Sequence, residues 1–565
     1  MSNVGGFTFV LHSHLPYARQ AGMWPHGEEW VHEAIAETYL PLLNALYDLK
    51  EEGIRYQLTI GVTPILGEQL SDPTIIEHFI GYAAERSAWA EEDIDRFEAS
   101  GESGLKDLAR FYHHFYARAL TSFQDRFESD LLGALAALQN EGLVEIATSA
   151  ATHGYLPLLS RDSSISGQLA TGVKAYEKRF GAKPRSIWLP ECAYRPAYVE
   201  STPQGEIRRP GLENFLANVG LETFFSETHS VEGGSPVGKA ADEAIGPYGG
   251  VSRRYSPKLE AHEIDEPRTT FQPYWVGDEP GKVAVLARNN DTGQQVWSAT
   301  FGYPGDYWYR EFHKKDATSG LQYWRVGGSG LDLAFKPLYE PHRASEPVEE
   351  HADHYAALVR RLLTEYYKAN GHYGVISAAY DTELFGHWWF EGVDWLKAVL
   401  RRLAAAPEVE LTTANRIVTE HPPDRVLALP ESSWGAGGGH FTWLNADTQW
   451  MWPKIHEAER RMETLVASST GAIGAERACL NQAARELLLL ESSDWPFLVT
   501  TGQAREYAVE RFEDHLTRFH QLAEIIELGK TEEPESVEFL RDLRERDNPF
   551  PNIDYRDFRA HQGSV

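Results

Sequence analysis

The sequence predicts a parallel α/β barrel followed by a helical C-terminal region. Three observations predict it. Short β-rich runs alternate with helix-period segments between Phe7 and Ala379. Polar residues collect where those runs end. Past Pro422-Pro-Asp424 the pattern turns almost wholly helical.

Phe7-Thr-Phe-Val-Leu-His-Ser-His14 is the first predicted strand, and on a strand His12 and His14 share a face. Helical periodicity covers Glu28–Lys50, and Arg55–Val62 reads as the second strand. The stretch 72–140 is helical throughout and too long for one crossover, so part of it is predicted to be an inserted helical unit. Val144–His153 is the third strand, again ending on a histidine. In Ser186-Ile-Trp-Leu-Pro-Glu191 a short buried strand meets Pro190, which ends its hydrogen bonding just before Glu191. Glu222–Glu227 is the fifth strand. A Gly/Pro-rich stretch, 232–280, follows, and loops of that length in compact domains are usually functional or mobile. Lys282–Arg288 and Tyr373–Ala379 are the sixth and seventh strands, and Val409–Thr413 offers a further one. After the glycine-rich Trp434–Gly439, helical runs occupy Glu457–Ala467, Ala475–Leu490 and Arg505–Leu528. The division expected is a barrel over 1–425 and a helical domain over 426–565 that completes its cleft.

Composition narrows the function. The chain has 565 residues, of which 42% are hydrophobic, enough for a large core. It shows no apolar run of ~18 residues, and its N-terminus has no basic region leading into an apolar one. Cys192 and Cys479 are the only cysteines, so no disulfide framework exists, and a reducing cytoplasm is the expected setting. A net charge of −30 argues against nucleic acid or anionic lipid as partners and suits a neutral polysaccharide. Sixteen Trp, 26 Tyr and 25 Phe supply the flat faces on which sugar rings pack, although most must belong to the core.

A carboxylate at the end of a buried strand is costly unless it has a task. Glu191 is one. Asp381, in Ser377-Ala-Ala-Tyr-Asp-Thr-Glu-Leu-Phe-Gly-His-Trp-Trp389, repeats the layout of strand, acid, then aromatics. Two such acids point to cleavage of glycosidic bonds, where retention needs carboxyl groups about 5–5.5 Å apart. The structural alternative is a carboxylate bonded to Arg or to a helix N-terminus. His12, His14 and His153 fit either hydrogen bonding to sugar hydroxyls and to the acids, or zinc ligation. No dense His/Cys/Asp cluster and no His-Glu-x-x-His accompanies them, which favours hydrogen bonding. Cys192 has no recognisable base, and the glycines at 435–439 lack the strand and the Lys-Ser/Thr of a phosphate loop.

His12-Ser-His14, Trp188-Leu-Pro-Glu-Cys192, Tyr380-Asp-Thr-Glu-Leu-Phe-Gly-His387 and Glu431-Ser-Ser-Trp434 resemble the ordered motifs of glycoside hydrolase family 57, and within it the 1,4-α-glucan branching enzymes. Gln295–Ser298, Gly302–Asp306, Tyr309–Lys314 and Ser492–Trp495 support this, and the resemblance runs from about residue 7 to about 525. It leaves the last forty or so residues outside. It implies a distorted (β/α)7 barrel with a helical insertion and an all-helical C-terminal domain. It further implies that Glu191 is the nucleophile and Asp381 the general acid/base. The chain would cleave α-1,4 bonds of amylose- or glycogen-type glucan and pass the glycosyl group to a 6-hydroxyl, making α-1,6 branches without metal or organic cofactor.

By the same resemblance Arg288, Gly305, Trp434, Asp494 and Gln503 fall where the family contacts glucan, with Trp30, Trp297 and Trp443 as further aromatic candidates. A tyrosine at the tip of the 232–280 loop, Tyr255 in preference to Tyr248, would help exclude water. The rival readings are an α-amylase or 4-α-glucanotransferase on the same scaffold, a metal-dependent polysaccharide deacetylase, and a catalytically silent glucan-binding protein. The sequence sets no oligomeric state.

Overall fold

The computed structural model describes residues 3–202, 205–236, 261–277, 283–298, 302–328 and 330–560. Seven parallel strands form the centre: β1 (Gly5–Ser13), β2 (Leu58–Val62), β3 (Val144–Ala147), β4 (Ser186–Ile187), β5 (Thr223–Ser226), β6 (Val283–Ala287) and β7 (Gly374–Asp381). One ladder runs β7-β1-β2-β3 and another β4-β5-β6. Single parallel bridges join the two, Thr148 to Ile187 and Arg288 to Ser377, and close the ring into a barrel. These are the seven strands that the apolar runs predict. Strands buried on both faces read as continuous hydrophobic stretches, and β1, β2, β5 and β6 are buried at every position.

The barrel is distorted for a visible reason. β2 pairs only with the C-terminal half of β1, Val10–Ser13, while a short strand, Val409–Leu411, pairs with Gly5–Phe7 and fills the other half. At one seam Pro190 limits β4 to two residues, so only Thr148 and Trp188 continue the pairing there. The third strand is also shorter than its sequence implies: it ends at Ala147, and the chain then bends towards His153, which has a φ of 57°.

The predicted helical stretch contains the helices Pro73–Ser100, Ser103–Thr121 and Leu131–Asn140. Asp72 caps the first through the Thr74 and Ile75 N–H groups, with Pro73 in the first turn, and Gly101 ends it at a φ of 78°. Beyond the barrel lie the helices Met451–Ser468, Gly474–Leu490, Asp494–Thr501, Arg505–Glu527 and Pro534–Arg546. An apolar cluster containing Trp452, Leu487 and Phe512 continues into Trp188, Phe224 and Val285 of the barrel. The tail then returns to the barrel. Tyr17 and Arg19 donate to the carbonyls of Arg546 and Glu545, and Lys174 pairs with Asp557. No helix among the described residues is long and apolar enough to cross a membrane.

Within 232–280 the described residues include a bridge from Gly234 to His262 and a strand, Tyr274–Val276, antiparallel to β6. A polar hairpin, Tyr198–Thr202 with Gly205–Arg209, was not anticipated by the alternation pattern.

The turn after Asp381 depends on Gly386. Its φ is 97°, and a Cβ there would lie 1.8 Å from the Glu37 carbonyl oxygen. Backbone cannot yield as a side chain can. Gly386→Ala is therefore expected to destabilise the protein by about 3 kcal/mol or more, seen as a lowered midpoint in a thermal unfolding scan.

Candidate active site

Glu191 follows β4 in a tight turn with φ 59° and ψ 24°, and Cys192 continues it at φ 52°. This left-handed geometry is costly for non-glycine residues and turns the Glu191 side chain away from the path of the strand. Two strips of C-terminal backbone hold this turn and the bend at His153. Tyr194 and Ser432 exchange backbone hydrogen bonds of 2.8 and 3.1 Å, and the Trp434 N–H donates to the Glu191 carbonyl at 3.2 Å. Gly154 bridges to Ser492, and the Ser493 N–H donates to the His153 carbonyl at 3.0 Å.

These pairings place two donors on the buried Glu191 carboxylate. Trp434 Nε1 donates to Oε2 at 2.7 Å, and Ser493 Oγ donates to Oε1 at 3.1 Å. His153 Nδ1 lies 2.9 Å from Ser493 Oγ, and His153 Nε2 lies 3.1 Å from His12 Nε2. With Glu191 ionised, the Ser493 hydroxyl proton is committed to the carboxylate. Neutral His153 then carries its proton on Nδ1 and neutral His12 on Nε2, so one hydrogen-bonded row runs from β1 to the acid.

Asp381 ends β7, and the β1–β7 register sets it directly opposite His12. Glu383, two residues on, is buried and accepts from the Tyr39 hydroxyl and from the His14 N–H at 3.2 Å. Tyr39 closes a π-helical turn, Ile35–Tyr39, a form of helix irregularity common at functional sites. Burial pushes the Glu383 carboxyl up to about 7; the Tyr39 hydroxyl opposes this and the Asp381 charge adds to it. His14 Nε2 donates to Asp494 at 3.0 Å. Burial disfavours a charged His14 ring, yet Asp494, with Glu191 and Glu383 behind it, holds its pKa above the usual value.

A cavity of about 620 Å³ opens over these groups. Glu191, Asp381, His12, His14 and His153 line it, as do Trp30, Trp297, Trp434, Trp443, Asp494 and Gln503. Arg288 and Gly305 are not among its lining residues. Arg288 is buried behind β6 in a 2.8 Å ion pair with Glu227, and Gly305 is exposed in the short helix Tyr303–Gly305. Tyr255 and Tyr248 lie outside the described residues. Glu383, Trp388 and Ser493 were not singled out from sequence. Each sits inside a motif that was noticed for its neighbour, and for Glu383 the signal was a second acid two positions after Asp381. His14, His153 and Asp494 offer ligand atoms within 4.8 Å of one another, but these same groups make the hydrogen bonds just described.

A family model described as glycosyl hydrolase family 57 matches residues 8–430. The chain belongs to glycoside hydrolase family 57. A second model, described as the C-terminal region of 1,4-α-glucan branching enzyme, matches residues 454–558. It reaches past the limit near residue 525 at which the motifs gave out, so the last helix and most of the tail lie within the likeness. A 1,4-α-glucan branching enzyme of Thermococcus kodakarensis is 46% identical over 97% of this chain and 77% of its own. The crystal structure of a family 57 branching enzyme from Pyrococcus horikoshii superposes with a TM-score of 0.87 at 43% identity, covering 100% of this chain and 98% of that one. The α-amylase AmyC of Thermotoga maritima superposes with 0.81 at 30% identity, covering 99% of both chains.

Two outcomes are expected of this family 57 site. Ser493→Ala removes a hydrogen bond to a charged group and should lower kcat about tenfold or more with little change in KM, as measured by initial rates on amylose. The native Glu383 carboxyl keeps its proton to about pH 7, whereas the unfolded chain releases it near 4.5. The native state therefore binds more protons in that window, and stability falls as pH rises through it, on the order of 3 kcal/mol in total. Glu383→Gln, fixed in the neutral form, should gain relative to the wild type at pH 8 compared with pH 4.5 in paired thermal scans.

Proposed function

We propose that this protein is a 1,4-α-glucan branching enzyme in which Glu191 is the nucleophile and Asp381 the general acid/base. The observation that carries the proposal is the placing of the two acids. Both follow barrel strands, β4 and β7, both line one aromatic-lined cavity, and the helix Asp494–Thr501 that lines it from the C-terminal side lies within the part matching the branching-enzyme region.

The chemistry follows from the surroundings of each acid. Glu191 has both carboxylate oxygens held by donors, so its lone pairs are aimed before substrate arrives. It attacks the anomeric carbon while Asp381 gives its proton to the departing glycosidic oxygen. A covalent glycosyl ester forms, and the cleaved chain leaves with a free 4-hydroxyl. Asp381, now ionised, takes the proton of an acceptor 6-hydroxyl as that oxygen attacks the ester carbon. Glu191 is released, and an α-1,6 bond replaces the α-1,4 bond with its configuration retained. Transfer rather than hydrolysis requires that water be kept from the ester while an acceptor binds. The walls formed by Trp434, Trp443 and Phe497 provide apolar cover for this on the C-terminal side.

An α-amylase reading draws on the likeness to AmyC. Incubation with amylose, following new α-1,6 linkages by proton NMR beside new reducing ends, separates the two. Branch signals with few reducing ends are expected. Reducing ends without branches would make the protein a hydrolase. Glu191→Gln, nearly isosteric but not nucleophilic, should abolish both signals with the fold intact by circular dichroism.

A further inference from the structure

Glu28, His32 and His78 form a cluster outside the catalytic network. Glu28 and His32 are four apart on the helix Glu28–Ala34 and so share a face. His78 reaches across from the helix Pro73–Ser100. The three offer ligand atoms within 4.8 Å of one another. Glu28 Oε2 lies 2.5 Å from His78 Nδ1 and 3.8 Å from His32 Nε2. The other oxygen, Oε1, accepts the Gln20 N–H at 2.7 Å.

His32 makes this more than a charged corner. Its ring is fully buried, and neither nitrogen has a hydrogen-bond partner. Phe79 and Tyr82 pack around it, with ring centroids 6.2 and 5.5 Å away. A buried imidazole with both nitrogens unsatisfied carries a desolvation cost that a bound cation would remove. Glu28 supplies the carboxylate, its Oε2 facing both histidines.

From this geometry we propose that Glu28, His32 and His78 bind a divalent transition-metal ion of the zinc type, at a site outside the catalytic network. Two imidazoles and one carboxylate are a zinc donor set, and bonds of about 2.0–2.2 Å in tetrahedral geometry place donor atoms about 3.3–3.6 Å apart. The observed 2.5 and 3.8 Å bracket that spacing. His78, with 39% of its side chain exposed, leaves the fourth position open to water and gives the ion a way in.

Among the described residues, the two other clusters of this kind are already committed. Glu486, His515 and Asp547 are met by cations of the chain itself: Arg511 lies 3.0 Å from His515 and Arg518 lies 2.8 Å from Asp547. His14, His153 and Asp494 belong to the catalytic network.

The site would also act on the cleft. Glu29, Trp30 and Glu33, on the helix that carries Glu28 and His32, line the catalytic cavity, and Gln20 belongs to the segment leading to Trp24 and Pro25 on its rim. An ion at Glu28 would tie this wall to the long helix Pro73–Ser100.

The test uses the full-length protein, stripped with a chelator and titrated with zinc chloride by calorimetry. One ion per chain is expected, with the unfolding midpoint raised by about 2–4 °C at saturating zinc. His78→Ala, a substitution at a half-exposed position, should abolish binding and the midpoint shift while leaving the circular dichroism spectrum unchanged. His32→Gln should do the same where it folds. Stoichiometric binding that survives His78→Ala but is lost in His14→Ala would place the ion in the catalytic cavity and overturn the proposal. Absence of zinc-dependent heat in the wild type would overturn it as well.

Discussion

A buried carboxylate is tolerated only when its oxygens are hydrogen-bonded, because an unmet charge in the interior is far more costly than an unmet neutral group. Glu191 meets this requirement with donors that the barrel does not own. Trp434 and Ser493 both come from beyond the last barrel strand, and both are set in place by backbone pairing with the segments around Glu191 and His153. Much of the cleft follows from this clamp. The left-handed turn at Glu191 presents the side chain, the two strips of C-terminal backbone hold that turn and the bend at His153, and the helix Asp494–Thr501 lines the cavity from the C-terminal side. Charge-assisted bonds of this kind fix direction as well as energy.

The surroundings of the two acids differ in kind. Glu191 is bound by neutral donors and connected through Ser493 to a row of histidines. Asp381 has a protonatable carboxyl two residues away and His12 opposite it in register. The first environment keeps an anion oriented. The second sets groups able to exchange protons around Asp381. The barrel seams lie beside the same two residues: β4, which leads to Glu191, and β7, which leads to Asp381, are each joined on one side by a single bridge. Side-chain contacts there do the holding that a longer ladder would otherwise do.

The sequence was most legible where burial is symmetrical. All seven strands could be read because a parallel strand covered on both faces is a continuous apolar run. Their end-points were less clear: nothing in Val144–His153 marks the bend after Ala147, since the residues beyond it are buried for tertiary reasons. The strand pair Tyr198–Thr202 and Gly205–Arg209 went unread because charged and hydroxyl residues outnumber the apolar ones in it and leave no apolar alternation. Of the candidate site residues, the strand-end acids and histidines announced themselves by position. Ser493 did not, since its partner lies 302 residues away in the chain and a serine carries no local sign of such a contact. The tail beyond residue 528 reads as charged surface, yet Leu540, Leu543, Phe550 and Phe558 anchor it in the core. Apolar residues spread thinly over a highly charged stretch do not make a pattern that periodicity detects.

The clamp on Glu191 also has a meaning in time. Its two donors lie 243 and 302 residues after the residue they hold. At synthesis rates of about 5–20 residues per second, the last of them leaves the ribosome about 15–60 s after Glu191 itself. A nascent chain whose barrel has already closed therefore still lacks the groups that hold the Glu191 carboxylate. The order of synthesis thus leaves Glu191 without its full clamp until both Trp434 and Ser493 have been added.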